Sequence, residues 1–200
     1  MSRRTLAALA ALCALLLIPG RSARAADASG YRIEVDVTNQ ITTVYRLEDG
    51  SVARQMICST GANDATPRGD FKLQVSHPLD RQDWYFIGKY QCYVKYPTRI
   101  QGAILFHSLP YADREMTSVA MEALEQLGSA TSHGCVRLHW RDAKWIARNC
   151  PDGTETRIFT GEARQDGLRE LLKEKSYTGA LGESYADFIA QIEDDGKRKP

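Results

Sequence analysis

The sequence predicts a mainly β domain, sandwich-like or barrel-like, with a few helices inserted after the strand that carries His107 and a helical extension at the carboxyl end. Short runs rich in β-branched and aromatic residues, separated by turn residues, occupy residues 31–108. Apolar residues at helical spacing come only after Pro110 and again in the last forty residues. At 200 residues, the chain is long enough for one domain with a sizeable core.

The first half of the chain is predicted to be strands. "YRIEVDV" alternates apolar and polar residues with period two, as a half-buried strand does. "ITTVYRL" follows a short turn, and "EDGS" closes a hairpin before "VARQMICST". "GANDATPRG" is a loop that leads into "DFKLQVS", and the runs "WYFIGKYQCYVKY" and "GAILFHSL" complete the set. Many short strands of this kind favour a sandwich or barrel.

Helical spacing begins after Pro110. It predicts a helix over 117–127 that ends at Gly128, and a second helix over "RDAKWIARN" that ends before Pro151. "ETRIFTG" is predicted to be a further strand. Two amphipathic helices are predicted at the carboxyl end, "DGLRELLKEK" and a second that begins at Ser184.

The amino-terminal residues have the pattern of a secretory signal. Arg3 and Arg4 precede the apolar run "LAALAALCALLLI", and "SARAA" follows with small residues at Ala23 and Ala25. The apolar run is shorter than the roughly 20 residues that span a bilayer. We therefore expect a signal peptide over 1–25, cleavage after Ala25 and export, with the export route left open.

Charge excludes two classes of partner. Lys and Arg number 26 and Asp and Glu 25, and the four arginines of residues 1–25 leave the mature chain with a net charge of −3. That balance provides no basic surface for nucleic acid or for an anionic membrane. No later segment approaches the length of a membrane span, so we expect no integral membrane segment after cleavage.

The stretch "TSHGCVRLHW" contains most of the candidate catalytic or metal-binding residues. Cys135 follows two small residues and a histidine, and a thiol becomes a good nucleophile when a base stands nearby. His107 ends an apolar strand, where it would be held at a rigid edge. Three interpretations compete: a buried unreactive thiol, a nucleophile assisted by histidine, and a zinc site. The zinc site would use four ligands, His107, His133, Cys135 and His139, although their spacing fits zinc motifs poorly.

The other cysteines bear on the state of Cys135. Cys58, Cys92 and Cys150 remain with it after signal cleavage. Four cysteines in an oxidising compartment allow two disulfides in three connectivities, but a free Cys135 permits one pair at most. The sequence leaves the pairing open.

Five motifs in order resemble the L,D-transpeptidase catalytic domain of the YkuD type. These motifs are the opening hairpin "IEVDVTNQITTVY", the loop and strand "STGANDATPRGDFKL", then "FHS", "TSHGCVRL" and the helix "RDAKWIARNCPDGT". The resemblance covers residues 31–160. It departs from the commonest family pattern in the longer stretch 111–130, interpreted as a lid over the cleft or as packing only, and in the helical region after residue 161.

The resemblance implies roles for seven residues. Cys135 matches the nucleophile, His107 the upstream histidine that takes the thiol proton, and His133 the motif histidine that shares or assists that role. Ser108 and Ser132 match positions that orient the histidine, with a turn residue and a loop cap as their structural alternatives. Gly134 and the Cys135 amide match the oxyanion hole. Arg137 matches a substrate-binding position, and its alternative is a surface charge that pairs with Asp142. His139 is interpreted as a helix cap.

The implied activity is acyl transfer between peptidoglycan stem peptides, with a Cys135 thioester, release of D-alanine and formation of 3→3 cross-links. A carboxypeptidase or other wall hydrolase with the same site, and a silent peptidoglycan-binding protein, are the alternatives. The resemblance implies no cofactor and no metal, stem peptides as partners, and the bacterial periplasm or cell wall as location. We expect a monomer with a catalytic domain over 26–161 and an extension over 162–200.

Overall fold

The structure is a computed structural model that describes residues 30–75 and 80–177. The predicted signal peptide over 1–25 lies outside these residues. So does the second carboxyl-terminal helix predicted from Ser184.

Ten strands and three α-helices lie within residues 30–75 and 80–177. The strands are β1 Tyr31–Asp36, β2 Ile41–Arg46, β3 Val52–Ser59, β4 Gly69–Lys72, β5 Tyr85–Ile87, β6 Cys92–Val94, β7 Thr98–Gln101, β8 Ile104–Ser108, β9 Val136–Leu138 and β10 Glu155–Phe159. The helices are α1 Met121–Glu125, α2 Trp140–Asn149 and α3 Leu168–Tyr177. Three-residue 3-10 turns lie at Ala62–Asp64, Gly88–Tyr90 and Met116–Ser118. The predicted mainly β class is confirmed.

Eight strands form one strongly curved sheet in the order β4-β10-β1-β2-β3-β9-β8-β7. β1 pairs with β10 in parallel and β8 with β9 in parallel; the other neighbours are antiparallel. The two edges approach each other, since β4 contacts β7 and the Gln74 amide donates to the Arg99 carbonyl at 3.0 Å just beyond β4. The sheet is thus a nearly closed barrel, and β5 and β6 form a separate hairpin.

Strand alternation divides the apolar residues between two clusters. Met56 and Cys58 of β3 point into the barrel, where α2 closes the core with Ala143 and Ile146. Ile57 points the other way. It belongs to an outer cluster that we define by nine buried residues: Ile41, Ile57, Leu109, Tyr111, Val119, Ala123, Leu124, Leu127 and Leu172.

The segment between β8 and β9 supplies most of the outer cluster. The predicted helix over 117–127 is wrong in its extent: a 3-10 turn over Met116–Ser118 precedes α1, which has only five residues. Val119 and Ala120 are extended between the two elements because residues 111 and 119 form a β-bridge. The buried side chains of the segment face β3, so it packs against the sheet.

The amphipathic helix predicted at "DGLRELLKEK" is confirmed as α3. It packs on β3 through Leu172, and Lys173 donates to the Glu125 carbonyl at the end of α1 at 2.6 Å. Within the described residues, we find no helix with the length and apolar character that crossing a membrane requires.

Candidate active site

The parallel pairing of β8 with β9 brings the predicted site residues together. His107 lies opposite Arg137 in the register, flanked by the pairs Phe106–Val136 and Ser108–Leu138. Phe106 and Val136 point into the core. Because side chains alternate along a strand, His107 and Arg137 share the other face, and Cys135, two residues before Arg137, extends that face.

His107 is buried in this face, with 4% of its surface exposed. Its Nδ1 lies 2.5 Å from the Ser108 carbonyl oxygen. Because a carbonyl oxygen only accepts, Nδ1 carries the hydrogen and Nε2 keeps its lone pair in the neutral ring. Burial is the main reason that the pKa of His107 falls from 6.5 to about 4; the bond to Ser108 raises it and the Arg137 charge lowers it. The imidazole is therefore neutral at neutral pH.

Cys135 is a half-buried thiol next to positive charge. Its Sγ donates to the Ala103 carbonyl at 3.5 Å. Burial raises the pKa of the Cys135 thiol above 9.0, whereas a bond from the Leu105 amide and the charges of Arg137 and Arg99 oppose the rise. The resting site consequently holds a neutral thiol and a neutral imidazole, with two guanidinium groups nearby to favour a developing negative charge.

Arg137 does not form the surface ion pair with Asp142 that was considered as its structural role. Asp142 is bound instead by Arg54, whose Nε donates to Oδ1 at 2.8 Å. Burial lowers the pKa of Arg137, and the charges of Cys135, Cys92 and Tyr90 oppose the fall. In the part of the chain that the structure describes, no carboxylate forms a salt bridge with Arg137. Its charge acts on the Cys135 thiol, whose pKa it lowers.

A hydrogen-bonded turn presents Cys135. Ser132 Oγ donates to the Cys135 carbonyl at 2.6 Å and accepts from the Gly134 amide at 3.0 Å. The Ser132 hydroxyl therefore closes its own loop. The Gly134 amide is engaged there, which leaves the Cys135 amide as the other predicted oxyanion donor.

Gly134 is needed for its backbone. Its φ is +130°, a conformation that side chains disfavour, and a β-carbon would lie 3.0 Å from the Ala65 carbonyl oxygen and 3.0 Å from Ile104 Cδ1. Thr66 holds the same turn: its Oγ1 accepts from the Gly61 amide at 2.7 Å and donates to the Gly134 carbonyl at 2.8 Å. The loop "GANDATPRG" thus supports the turn that carries Cys135.

Ser108 acts on His107 through its carbonyl group. Its side chain points to the other side of β8, where Oγ accepts from the Lys95 amide and donates to the Leu109 carbonyl, both at 2.7 Å. The hydroxyl therefore anchors β8 to the chain after β6.

His133 lies at the surface and does not share the buried environment of His107. Its ring is stacked on Tyr90, with ring centroids 4.2 Å apart and 18° between the planes. Tyr90 ends the 3-10 turn between β5 and β6, so this hairpin covers one side of the site. In the same hairpin the thiol of Cys92, half-buried, lies within electrostatic range of both Cys135 and Arg137.

His139 is the amino-terminal cap of α2, as predicted, because its Nδ1 accepts from the Arg141 amide at 3.3 Å. It is buried, and burial is the main cause that lowers its pKa to about 3. Among the described residues, no three His, Cys, Asp or Glu side chains converge as metal ligands. The four residues considered for zinc are therefore not assembled as one site.

Four neighbours of the site were not predicted from the sequence: Thr66, Tyr90, Cys92 and Arg99. Each comes from a loop, a hairpin or a strand that is distant in the chain and that tertiary contacts bring near Cys135. The aromatic richness of "WYFIGKYQCYVKY" was the available signal for Tyr90 and Cys92.

Comparison with known proteins agrees with this geometry. The model of the family described as L,D-transpeptidase catalytic domain (YkuD) matches residues 30–158. A protein of Bacillus subtilis strain 168, named "Putative L,D-transpeptidase YciB", is 33% identical over 138 residues, which cover 66% of this chain and 68% of that protein.

Several solved structures are similar to this chain. An L,D-transpeptidase from Mycobacterium tuberculosis H37Rv superposes with a TM-score of 0.50 at 21% identity, covering 65% of this chain and 57% of its own. An L,D-transpeptidase from Stackebrandtia nassauensis has a TM-score of 0.49 at 22% identity, with 66% and 56% covered. This chain therefore spans little more than half the length of these solved chains.

Proposed function

This chain belongs to the L,D-transpeptidase catalytic domain family (YkuD), and from that premise we propose that it is an exported cysteine acyl transferase that acts on peptidoglycan stem peptides. The observation that carries the proposal is the shared face of β8 and β9, which holds His107 and Arg137 side by side with Cys135 at its end. Signal cleavage after Ala25 and residence in the periplasm or cell wall are part of the proposal.

In the first half-reaction, Cys135 attacks the carbonyl of the bond between the third residue of a stem tetrapeptide and its terminal D-alanine. Nε2 of His107 takes the thiol proton as the carbon–sulfur bond forms. The imidazolium then gives that proton to the nitrogen of D-alanine, the peptide bond breaks, and a thioester remains on Cys135.

The electrostatics support transfer of the proton during the attack. Burial holds the thiol in its protonated form and the imidazole in its neutral form, so a resting thiolate–imidazolium pair is disfavoured. Negative charge develops on sulfur and on the carbonyl oxygen only as the substrate reacts. The Cys135 amide and the Arg137 guanidinium are the proposed donors to that oxygen.

In the second half-reaction, an amine from a second stem peptide attacks the thioester and forms a 3→3 cross-link. His107 takes a proton from the amine and returns it to the sulfur. Water in place of the amine would make the enzyme an L,D-carboxypeptidase. The half-buried thiol beneath the β5–β6 hairpin favours the amine, because a shielded thioester meets less water.

Intact-protein mass spectrometry tests the proposal. The purified protein is incubated with a stem tetrapeptide or with a carbapenem, which imitates an acyl donor, and adducts are mapped after digestion. We expect one adduct, on Cys135, in the wild type and none in the Cys135→Ala variant, because the thioester needs that sulfur. The melting temperature of the variant should stay close to that of the wild type.

The Cys92→Ser variant is the matched control, because it removes a thiol that the mechanism does not use and should still form the adduct. If reduced wild type forms no adduct, or if Cys135→Ala forms one, the assignment of the nucleophile is wrong. Adding an amine acceptor then separates transfer from hydrolysis by the mass of the product.

A further inference from the structure

Two thiols, those of Cys135 and Cys92, interact electrostatically with Arg137. In the hairpin register, Cys92 pairs with Ile87 and Tyr93 with Phe86, so Cys92 and Tyr93 project from opposite faces. The Phe86 ring packs against the Tyr93 ring on one face, with 4.9 Å between centroids and 46° between planes, and Phe86 is 41% exposed. Cys92 is on the opposite face.

Contacts of the residues that flank Cys92 hold the β5–β6 hairpin beside the turn that carries Cys135. Tyr90, two residues before Cys92, stacks on His133, two residues before Cys135, at 4.2 Å between ring centroids. The backbones of Tyr93 and Tyr111 exchange two hydrogen bonds of 2.8 Å. The charges of Cys92 and Arg137 both act on Cys135, as expected for groups that share one site.

We propose that Cys92 is a modification site, at which a reversible disulfide forms with Cys135 and withdraws the nucleophile while the bond lasts. The loss of activity rests on the proposed function; formation of the disulfide does not. The strands of the hairpin, three residues each, lie outside the eight-stranded sheet. For the disulfide to form, these strands must bring the β-carbon of Cys92 to about 4 Å from the β-carbon of Cys135, the usual spacing in a disulfide.

The oxidant is a low-molecular-weight disulfide. The Cys135 thiolate attacks one of its sulfurs, the sulfur–sulfur bond breaks, and one small thiol leaves. Cys92 then attacks the Cys135 sulfur of the mixed disulfide and the second small thiol leaves. The protein loses two electrons and two protons, and the oxidant is reduced to two thiols. Arg137 assists both steps, because a neighbouring guanidinium favours the thiolate that attacks.

The remaining cysteines provide internal controls. Cys58 and Cys150 are buried, and burial raises the pKa of each thiol to about 12. Thiols of that kind exchange slowly. A disulfide between Cys92 and Cys135 would also keep the nucleophile from the irreversible steps of thiol oxidation, since a bonded sulfur has no free thiolate.

The test equilibrates the purified, reduced protein with mixtures of oxidised and reduced glutathione, followed by trapping of free thiols and peptide mapping. We expect a linked Cys92–Cys135 peptide in the wild type and in Cys150→Ala. In Cys92→Ser, Cys135 should accumulate as the mixed disulfide with glutathione. Carbapenem acylation of the wild type should fall in proportion to the linked fraction and return with a reductant.

The two hypotheses fail in different ways. Wild type that accumulates only the mixed disulfide at every ratio, with no linked peptide, overturns the modification site even if reduced protein is acylated. A linked peptide in a protein whose reduced form is never acylated supports the modification site and refutes the proposed function.

Discussion

At the scale of single residues, His107 and His133 differ in environment although both flank the thiol. His107 is buried, with Nδ1 bonded to a carbonyl and Nε2 free to accept a proton, whereas His133 is exposed and stacked on Tyr90. Only His107 is on the sheet face that Cys135 extends. We therefore propose His107 as the base of the reaction.

Substitution of the two histidines tests this assignment. His107→Ala should lower the rate of acylation by about 10²–10⁴, the usual contribution of a general base. His133→Ala should lower it much less, because only a stacking contact with the hairpin is lost. Single-turnover acylation by a carbapenem measures both, and a larger loss in His133→Ala would reverse the roles.

The pH dependence of acylation follows from the same burial. The pKa of His107 is lowered to about 4, so the imidazole is neutral above that pH and becomes protonated, hence inactive as a base, as the pH falls through it. The rate should stay constant between about pH 5 and pH 8 and fall only below. An acid limb near the ordinary 6.5 would show that a solvated histidine is the base. Circular dichroism at each pH separates loss of activity from unfolding.

At the scale of elements, the loop between β3 and β4 holds the nucleophile turn. Thr66 is buried, with 1% exposed, and bridges the Gly61 amide and the Gly134 carbonyl. The Gly134 conformation depends on that bridge, because the residue has a positive φ in a tightly enclosed position.

Thr66→Val should therefore affect both stability and rate. Valine has nearly the same shape, but it leaves two buried backbone groups without a partner, at about 1–3 kcal/mol each. Acylation should slow because the turn that orients Cys135 loosens. Thr66→Ser restores the hydroxyl and should recover most of both losses; urea unfolding and single-turnover acylation are the measurements. Equal defects in the valine and serine variants would mean that the methyl group matters more than the bonds.

Prediction from sequence succeeded where the pattern was local. The alternation in "YRIEVDV" and the helical spacing in "RDAKWIARN" correspond to β1 and α2. It failed over 117–127, where tertiary pairing of Tyr111 with Val119 overrides helical spacing. Thr66 and Arg99 were missed because their proximity to the site depends on tertiary contacts between segments distant in sequence. The resemblance supplied the site residues that local patterns alone left open.

At the scale of the whole molecule, the described part of the predicted extension is integrated with the catalytic domain. Asn39 Nδ2 donates to the Glu162 carbonyl at 2.8 Å, and the Arg164 amide donates to Asn39 Oδ1 at 2.9 Å. Leu172 is buried in the outer cluster. A domain boundary after residue 161 remains a prediction. Because of these contacts, removal of the residues that follow it should lower the free energy of unfolding.

Two adjacent leucines of α3 measure that cost. Leu172 is 7% exposed and Leu171 is 46% exposed. Leu172→Ala should lower the free energy of unfolding by about 2–5 kcal/mol, since it removes buried methyl groups and leaves a cavity. Leu171→Ala should change it by less than about 0.5 kcal/mol. Denaturant unfolding of the two variants checks this, and equal effects would indicate that α3 is not anchored through Leu172.

The segment between β8 and β9 begins and ends at the active site. Its start is fixed where Tyr111 pairs with Tyr93, and its end where the Ser132 amide donates to the Thr60 carbonyl at 2.9 Å. Contacts at the two ends of the segment, with Tyr93 and Thr60, therefore fix where the chain leaves β8 and where it returns to β9. A segment of different length could be grafted between these contacts without moving Cys135 relative to His107, provided that it again covers Ile57 with apolar residues. The segment between β8 and β9 is therefore a place where proteins with this barrel can differ in length and sequence while the geometry of the active site stays the same.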